Sequence, residues 1–225
     1  LVPNGSPYFR QKLGVRHQMM VSRVVETGLP LIYLNMVGGQ DDQVFDGGSF
    51  ALNRGGALAV QMPLFDEALQ TIDLTRTADG WQVAQGPRAP IPDVCEQDYR
   101  AMVEGLRDYM AKTGFTQALL GLSGGIDSAL VALIAADALG AENLRCVMLP
   151  SEYTSADSLQ DAQDLAKNLG CSYDFVPITE GRDAITNTLA PLFAGKAPDL
   201  TEENIQSRLR GLLLMALSNK FGEML

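Results

Sequence analysis

The chain has 225 residues, of which 46% are hydrophobic and 20% are charged. This balance is typical of a globular protein with enough material for one or two domains. The net charge of −10 argues against broad nucleic-acid binding, which depends on clustered Lys and Arg. No apolar run reaches the roughly 20 residues that a membrane-spanning helix needs, and the first residues, which lack an initiator Met and a targeting signal, suggest the middle of a longer protein. We therefore expect neither a nucleic-acid partner nor a membrane partner.

The cysteine and histidine content limits the chemistry that the chain can carry. Cys95, Cys146 and Cys171 are odd in number and widely spaced, which excludes a disulfide framework and argues against a zinc site. Cys146 and Cys171 lie in strand-like runs, so we expect buried structural thiols and a reduced, cytoplasmic setting. No nucleophile elbow accompanies the single histidine, His17, which we expect at the surface.

The first part of the chain alternates apolar runs with glycine-containing turns. The pattern predicts, in chain order, a helix over 12–26, a strand over 31–37, a turn at 46–48, a strand over 49–53, a hairpin turn at 54–56, a strand over 57–61, and closing strands over 70–74 and 81–84. A proline-rich stretch follows and indicates an extended linker. We therefore predict domains over 1–86 and 95–225 that are joined by a linker over 87–94.

Strands and helices alternate in the second part of the chain. The pattern predicts a helix over 96–112, a strand over 118–122, helix 127–139, strand 144–149, helix 157–168, strand 172–178, and helices over 183–193 and 201–221. This alternation is typical of an α/β fold with a doubly wound parallel sheet. Such sheets bind their ligands at the carboxyl ends of the strands.

The most informative run lies at such a strand end and reads Leu-Leu-Gly-Leu-Ser-Gly-Gly-Ile-Asp-Ser over residues 119–128. Gly124 and Gly125 allow a sharp turn and a close approach of the backbone to a ligand. The free N–H groups of the turn and of the following helix then point at one spot, which suits an anion. Ser123 and Ser128 add hydroxyl donors. Asp127 repels phosphate unless a hard cation lies between them, which points to Mg²⁺.

This run differs from the Walker A and dinucleotide-binding patterns and resembles the Ser-Gly-Gly-x-Asp-Ser loop of the N-type ATP pyrophosphatases. The resemblance implies ATP and Mg²⁺ as cofactors, with Asp127 as the metal ligand, and an attack on the α-phosphorus that gives an adenylate. The ATP-binding residues that it implies are Gly121, Leu122, Ser123, Gly124, Gly125, Ile126, Asp127 and Ser128. The alternatives are an ordinary strand-to-helix turn and a module that binds ATP without catalysis.

Three further runs narrow the family, and the first is Met-Leu-Pro-Ser-Glu-Tyr-Thr-Ser over residues 148–155. Asn-Gly-Ser-Pro-Tyr over residues 4–8 precedes Lys12, and Glu-Asn-Ile-Gln-Ser-Arg over 203–208 begins the last helix. Together with the loop they resemble the glutamine-dependent NAD⁺ synthetases over essentially the whole chain. The resemblance implies the C-terminal part of an αββα nitrilase-type glutaminase domain, followed by an adenine nucleotide α-hydrolase-like synthetase domain. The expected substrates are glutamine, ATP and deamido-NAD⁺, and a homo-oligomer is expected.

The resemblance also assigns residues to these substrates. It implies that Ser6 and Lys12 bind glutamine and that Asn204 contacts deamido-NAD⁺; Arg208, which lies on the same helical face as Asn204, is added as a phosphate or ribose donor. Arg210 points to a different side. Taken without the resemblance, Ser6 could belong to a turn, Lys12 to a solvated helix, and Arg208 to a surface behind a Thr201 N-cap.

The resemblance places the catalytic residues outside these 225 residues. The family's Cys nucleophile, Glu base and Lys are expected upstream of Leu1, and its Thr-Gly-Asn-Lys-Ser-Glu run downstream of Leu225. Glu223 does not replace that run's Mg²⁺ ligand, because none of the motif surrounds it. We therefore expect no glutaminase or synthetase activity from this piece alone. A GMP or asparagine synthetase and a tRNA-modifying member of the pyrophosphatase group are the competing enzyme readings.

Overall fold

The computed structural model describes residues 1–225 and divides into two compact units, Leu1–Tyr109 and Met110–Leu225. The division lies inside a helix over Val94–Thr113, and thus C-terminal to the predicted linker over 87–94. A domain boundary that lies inside a helix is marked by neither a change of composition nor a glycine cluster. A sequence pattern therefore cannot reveal it.

The first unit is built around a four-stranded mixed sheet. Its elements are β1 (Val2–Asn4), α1 (Lys12–Thr27), β2 (Leu31–Asn35), β3 (Val37–Gln40), β4 (Gln43–Asp46), β5 (Phe50–Leu52), β6 (Leu58–Gln61), β7 (Leu74–Thr77), β8 (Gly80–Val83) and the start of α2 (Val94–Thr113). The sheet order is β1-β2-β5-β6, with β1 parallel to β2 and the other pairs antiparallel. The apolar face of α1 packs on this sheet through Val24, which contacts the cluster of Tyr33, Phe50 and Leu52.

Two strand predictions in this unit were wrong. The strand predicted over 31–37 ends at Asn35, and Val37 begins a separate hairpin of β3 and β4. Gly38 and Gly39 remove the alternating apolar pattern from β3, so no strand is visible there in the sequence. The closing strand predicted over 70–74 instead begins at Leu74 and pairs only with β8.

The predicted linker is partly tied to the sheet. Gly86 N–H donates to Ala59 O at 3.1 Å, and Ala89 N–H donates to Gln61 O at 2.9 Å. Pro87, which has no N–H, accepts from Gln61 N–H at 3.0 Å. Residues 86–89 are therefore hydrogen-bonded along the edge of β6 and do not form a free linker.

The second unit contains a parallel sheet with helices on both faces. After the end of α2 come β9 (Ala118–Gly121), α3 (Ile126–Leu139), β10 (Leu144–Met148), α4 (Ala156–Leu169), β11 (Ser172–Phe175), α5 (Thr179–Phe193) and α6 (Leu200–Phe221). The order is β11-β10-β9, all parallel, and a parallel bridge between Ala118 and Met224 extends the sheet past β9. This confirms the predicted α/β class. None of the helices has the length and apolar character to cross a membrane.

The two faces of this sheet bury different groups, because successive strand residues point to opposite sides. On one face, Leu119 and Val147 pack with Leu209 of α6. On the other face, the Cys146 and Cys171 sulfurs lie 3.6 Å apart next to α4. Burial and the Cys171 sulfur raise the pKa of the Cys146 thiol to about 12, so it stays protonated at neutral pH. These are structural thiols, as the sequence predicts.

The N-cap of the last helix lies two residues before the predicted one. Asp199 is the N-cap of α6 and accepts from Thr201 N–H at 2.8 Å, while Glu202 accepts from Asp199 N–H at 2.8 Å. This reciprocal pair is a capping box, which satisfies two backbone donors at once. The interpretation of Thr201 as N-cap was therefore wrong.

His17 is half-buried, whereas the sequence analysis expects it at the surface. It lies on α1, and its ring packs edge-on against Phe50 with 4.2 Å between the ring centroids. Burial lowers the pKa of His17 below its ordinary value, and the side chain of Gln61 offsets part of this effect. The folded protein therefore favours the neutral imidazole.

We expect the free energy of unfolding to decrease as the pH falls below about 6.5, because unfolded His17 then takes up a proton that folded His17 resists. The contribution of His17 is complete above that pH and is lost as the pH falls towards the lowered folded-state pKa. Urea unfolding of wild type and His17→Gln at pH 7.5 and 5.5 measures this effect. The variant should lose less stability between the two values, and an equal loss would contradict the assignment.

Candidate functional site

The glycine loop lies between β9 and α3, at the carboxyl end of the parallel sheet. Hydroxyl groups link its two ends: the Ser123 and Ser128 oxygens are 3.0 Å apart, and Ser128 Oγ donates to Gly125 O at 3.0 Å. Gly125 N–H in turn donates to Ser123 Oγ at 3.2 Å. The loop is thus closed on itself, as a cradle for an anion requires.

The first turn of α3 supplies the donors of this cradle. Ala129 N–H makes the first bond of the helix, to Gly125 O at 3.1 Å. The N–H groups of Ile126, Asp127 and Ser128 precede that bond and have no partner inside the helix. Free N–H groups and the positive end of the helix dipole together favour a bound phosphate.

Gly124 holds the loop against the start of α4. Its φ of +78° lies in the left-handed region, where only glycine is unstrained. A Cβ atom at this position would lie 2.7 Å from Ser158 Cα, which belongs to backbone that cannot move aside. Ser158 N–H also donates to the N-cap Ser155 Oγ at 3.1 Å. The position of the loop therefore depends on the absence of a side chain at residue 124.

Asp127 is the one carboxylate that the loop offers to a metal ion. It is exposed in the first turn of α3, and no group of three or more His, Cys, Asp and Glu side chains converges here or elsewhere in the chain. A single carboxylate is consistent with Mg²⁺, which usually keeps several waters and takes further oxygens from substrate phosphates.

Two adjoining cavities open beside the loop. The smaller, of about 340 Å³, is lined by Gly121, Leu122, Ser123, Val147, Met148, Leu149, Thr154, Arg210 and Leu214. The larger, of about 530 Å³, is lined by Ser151, Tyr153, Thr154, Asp199, Glu202, Glu203, Gln206 and Arg210. Thr154 and Arg210 belong to both, so the two cavities form one cleft at the ends of β9 and β10.

The predicted acceptor residues lie outside this cleft. Arg208 Nη1 donates to Asn204 Oδ1 at 3.0 Å, so the predicted common face of these two residues is present. Both side chains are exposed, and neither lines either cavity. Their contact with deamido-NAD⁺ remains a prediction. Arg210, which the sequence analysis set apart from them, is the α6 arginine that faces the cleft.

Ser6 and Lys12 belong to the first unit and have different partners. Ser6 Oγ accepts from Arg16 Nε at 3.1 Å, and Ser6 N–H donates to Asn35 Oδ1 at 2.8 Å. The Lys12 ammonium lies 4.2 Å from the centre of the Phe9 ring. The structure thus assigns Ser6 to a fixed polar network and Lys12 to a cation–π contact, and their binding of glutamine remains a prediction.

A buried ion pair holds the Ser6 network in place. Arg16 and Asp46 are 3% and 1% exposed, and the guanidinium makes two bonds with the carboxylate, of 2.7 and 2.9 Å. The same arginine also donates to Ser6 O at 2.7 Å. Such a pair is stable only when every donor is satisfied, so neither charge can be removed alone without cost.

Glu223 has a structural partner. It is buried, and its Oε1 accepts from Arg145 Nε at 2.8 Å. Arg145 also pairs with Asp174 at 2.9 Å. One carboxylate oxygen of Glu223 is thus engaged beside the sheet, and its Oε2 is buried without a hydrogen-bond partner.

We expect Gly124→Ala to destabilise the protein by about 2–5 kcal/mol, because backbone strain and the collision with Ser158 add up. Gly170→Ala is the matched control, since Gly170 has a φ of +77° and no atom near the added Cβ. The control should cost only about 1–2 kcal/mol. Urea unfolding of both variants measures the difference, and equal costs would show that the Ser158 contact is not tight.

We expect Asp46→Asn to cost about 3 kcal/mol or more, because it leaves the Arg16 charge buried without a counter-charge. The exposed pair of Arg23 and Glu26, with 2.6 Å between its atoms, provides the control. Glu26→Gln should change the free energy of unfolding by less than about 1 kcal/mol. Chemical unfolding at pH 7 distinguishes the two, and a small effect of Asp46→Asn would contradict the role of the pair.

Comparison with known proteins identifies the family to which the chain belongs. The NAD synthase family profile matches residues 98–225. The glutamine-dependent NAD(+) synthetase of Rhodobacter capsulatus is 62% identical over 225 residues, which is 100% of this chain and 41% of that protein. The chain thus spans less than half the length of this curated relative.

Solved structures of NAD synthetases also match this chain. Glutamine-dependent NAD⁺ synthetase from Acinetobacter baumannii, in complex with ADP, matches with a TM-score of 0.92 and 40% identity over 99% of this chain and 43% of that one. NH3-dependent NAD synthetase from Campylobacter jejuni matches 57% of this chain and 53% of its own, with a TM-score of 0.51 and 26% identity.

Proposed function

Because the chain belongs to the NAD synthase family, we propose that it is the central part of a glutamine-dependent NAD⁺ synthetase. The whole enzyme converts deamido-NAD⁺ to NAD⁺, using ATP and ammonia released from glutamine. The observation that carries this proposal is the closed loop from Ser123 to Ser128, whose free N–H groups lie at the carboxyl end of β9. The ADP in the Acinetobacter baumannii relative supports an adenine nucleotide as its ligand.

The proposed first step activates the acceptor carboxylate. An oxygen of the nicotinate carboxylate attacks the α-phosphorus of ATP, the bond to the bridging oxygen breaks, and pyrophosphate leaves. The N–H groups of Ile126, Asp127 and Ser128 stabilise the negative charge that develops on the leaving group. The Ser123 and Ser128 hydroxyls hold the loop in the conformation that presents these N–H groups. The loop thus contributes positioning and charge stabilisation rather than a covalent intermediate.

The proposed cofactor of this step is Mg²⁺, held by Asp127. When bound, the ion neutralises phosphate charge and orients the oxygens of ATP. Without it, the Asp127 carboxylate would repel the triphosphate, which explains why this residue type is found in an anion cradle. Further ligands would come from phosphate oxygens and from the family's downstream acidic residue.

The proposed second step uses ammonia. The ammonia nitrogen attacks the adenylate carbonyl, AMP leaves, and a proton is lost to give the amide. Ammonium has no lone pair for this attack, so ammonia must be delivered without protonation. A fused glutaminase meets this need. The first unit is proposed to be the C-terminal part of that nitrilase-type domain, with Ser6 and Lys12 at the amino-acid end of glutamine and with the catalytic Cys, Glu and Lys elsewhere in the enzyme.

The remaining assignments follow from the same proposal. Asn204 and Arg208 are proposed to contact deamido-NAD⁺ from the exposed face of α6. The enzyme is proposed to be a cytoplasmic homo-oligomer, and the three unpaired cysteines support a reducing compartment.

The acceptor is tested by ATP–pyrophosphate exchange in the full-length enzyme. We expect exchange with deamido-NAD⁺ and none with xanthylate or aspartate, which are the acceptors of related synthetases. Exchange with either of the latter would replace the proposed substrate, and ATP binding without any exchange would indicate a passive nucleotide module. The 225 residues alone should give no amidation of deamido-NAD⁺.

Asp127→Asn should lower the exchange rate by about 100-fold or more, because it removes the carboxylate proposed to hold the metal. Its control is Glu180→Gln, which removes an exposed acidic residue from the first turn of α5. Initial rates at several Mg²⁺ concentrations provide the measurement. The Asp127 variant should need more Mg²⁺ for half-maximal rate and the control should not; an unchanged Mg²⁺ requirement in both would remove the metal role from Asp127.

A further inference from the structure

Arg210 occupies a distinctive place in the cleft. It lines both cavities and is the single charged residue among those that line the smaller one. Its Nε donates to Leu149 O at 2.9 Å, at the carboxyl end of β10. Ser123 of the glycine loop lines the same cavity. The cavity beside the loop therefore contains one fixed cation and no carboxylate.

Close packing of α6 on the sheet brings the arginine to this place. A Cβ atom at Gly121 would lie 3.1 Å from Leu214 Cδ1, and a Cβ atom at Gly181 would lie 3.1 Å from Leu209 Cδ2. Two glycines thus allow the helix to approach β9 and α5 closely, and Leu209 is buried in that contact. The next residue, Arg210, is then held at the end of β10.

The two terminal nitrogens of Arg210 remain available. Arg210 forms no ion pair, its only hydrogen bond within the chain is the one from Nε, and neither terminal nitrogen is among the buried atoms that lack a partner. Three carboxylates line the larger cavity, Asp199, Glu202 and Glu203, and none of them forms an ion pair with Arg210; the first two are engaged in the capping box. The guanidinium therefore faces the cleft without an ion-pair partner and with its terminal donors free.

We propose that Arg210 binds an oxyanion of a nucleotide substrate in this cleft, a role that rests on the proposed function. Its planar fork matches the geometry of phosphate and carboxylate oxygens. Because Nε is anchored to Leu149 O, the fork is oriented before the ligand arrives and loses little freedom on binding. The oxyanion is either a phosphate of ATP or an anionic group of deamido-NAD⁺, and both have the same chemistry at this position.

The test compares Arg210→Gln and Arg210→Lys in the full-length enzyme. Both variants lose the bond from Nε to Leu149 O, so a purely structural role would impair them equally. A role in anion binding predicts that Lys, which keeps the charge, performs better than Gln. Lys167→Gln is the control, since it removes an exposed positive charge from the last turn of α4.

The quantities to measure are kcat and KM for ATP and for deamido-NAD⁺, together with the affinity for each nucleotide by calorimetry. We expect Arg210→Gln to raise the KM of one nucleotide by about 10- to 100-fold, which corresponds to the loss of a charge-assisted hydrogen bond. Arg210→Lys should show a smaller rise in KM than Arg210→Gln, and the Lys167→Gln control should leave KM unchanged. The nucleotide whose KM rises identifies the source of the oxyanion.

Two results would overturn the proposal: KM values within twofold of wild type in Arg210→Gln, or equal defects in the Gln and Lys variants. If the wild-type enzyme did not amidate deamido-NAD⁺, the proposed function would fail on its own. The calorimetric arm would then decide about Arg210, because Arg210→Gln should still weaken the binding of ATP or of deamido-NAD⁺, and unchanged affinity for both would overturn the proposal.

Discussion

The candidate site depends on a contact between two stretches of backbone, Gly124 in the glycine loop and Ser158 in the first turn of α4. The loop's own hydrogen bonds join exposed hydroxyl and amide groups, which water can replace at little cost. Backbone packing is not replaceable in this way, because neither chain can move without disturbing a helix. The steric fit therefore fixes the direction of the free N–H groups. The hydrogen bonds of the Ser123 and Ser128 hydroxyls then refine that direction.

The contact between Gly124 and Ser158 also links the loop to the larger cavity. Ser158 N–H is bound by Ser155, the N-cap of α4, and the segment just before that cap includes Thr154, which lines both cavities. On the opposite side, Arg210 holds the carbonyl of Leu149 at the start of the same segment. The segment between β10 and α4 is thus fixed at both ends. Its position is set by the loop at one end and by α6 at the other.

Local patterns were enough to predict the elements that build this region. The strand predicted over 118–122 is observed at Ala118–Gly121, and the helix predicted over 127–139 at Ile126–Leu139. Apolar runs bounded by glycine specify these elements without help from distant residues. The β3–β4 hairpin was missed for the opposite reason, since a strand that contains Gly38 and Gly39 carries no such pattern.

Sequence patterns were insufficient where distant residues decide the outcome. Helical spacing correctly separated Arg210 from the face shared by Asn204 and Arg208. It could not say which face meets the cleft, because that depends on the close approach of α6 to Gly121 and Gly181. His17 was misjudged in a similar way, since its burial depends on Phe50 in another element. Periodicity predicts which residues share a face of a helix, whereas packing against neighbouring elements determines which face lines the cleft.

Parallel topology explains why residues so far apart in the sequence meet in one cleft. Ser123 follows β9, Thr154 follows β10, and the carboxyl ends of parallel strands lie at the same edge of the sheet. Met224 is parallel to β9 and extends the sheet on its other side. Each strand in this arrangement delivers the residues after it to the same edge. A site assembled in this way can change its substrate by changing one segment, while the anion cradle that β9 and α3 form stays the same.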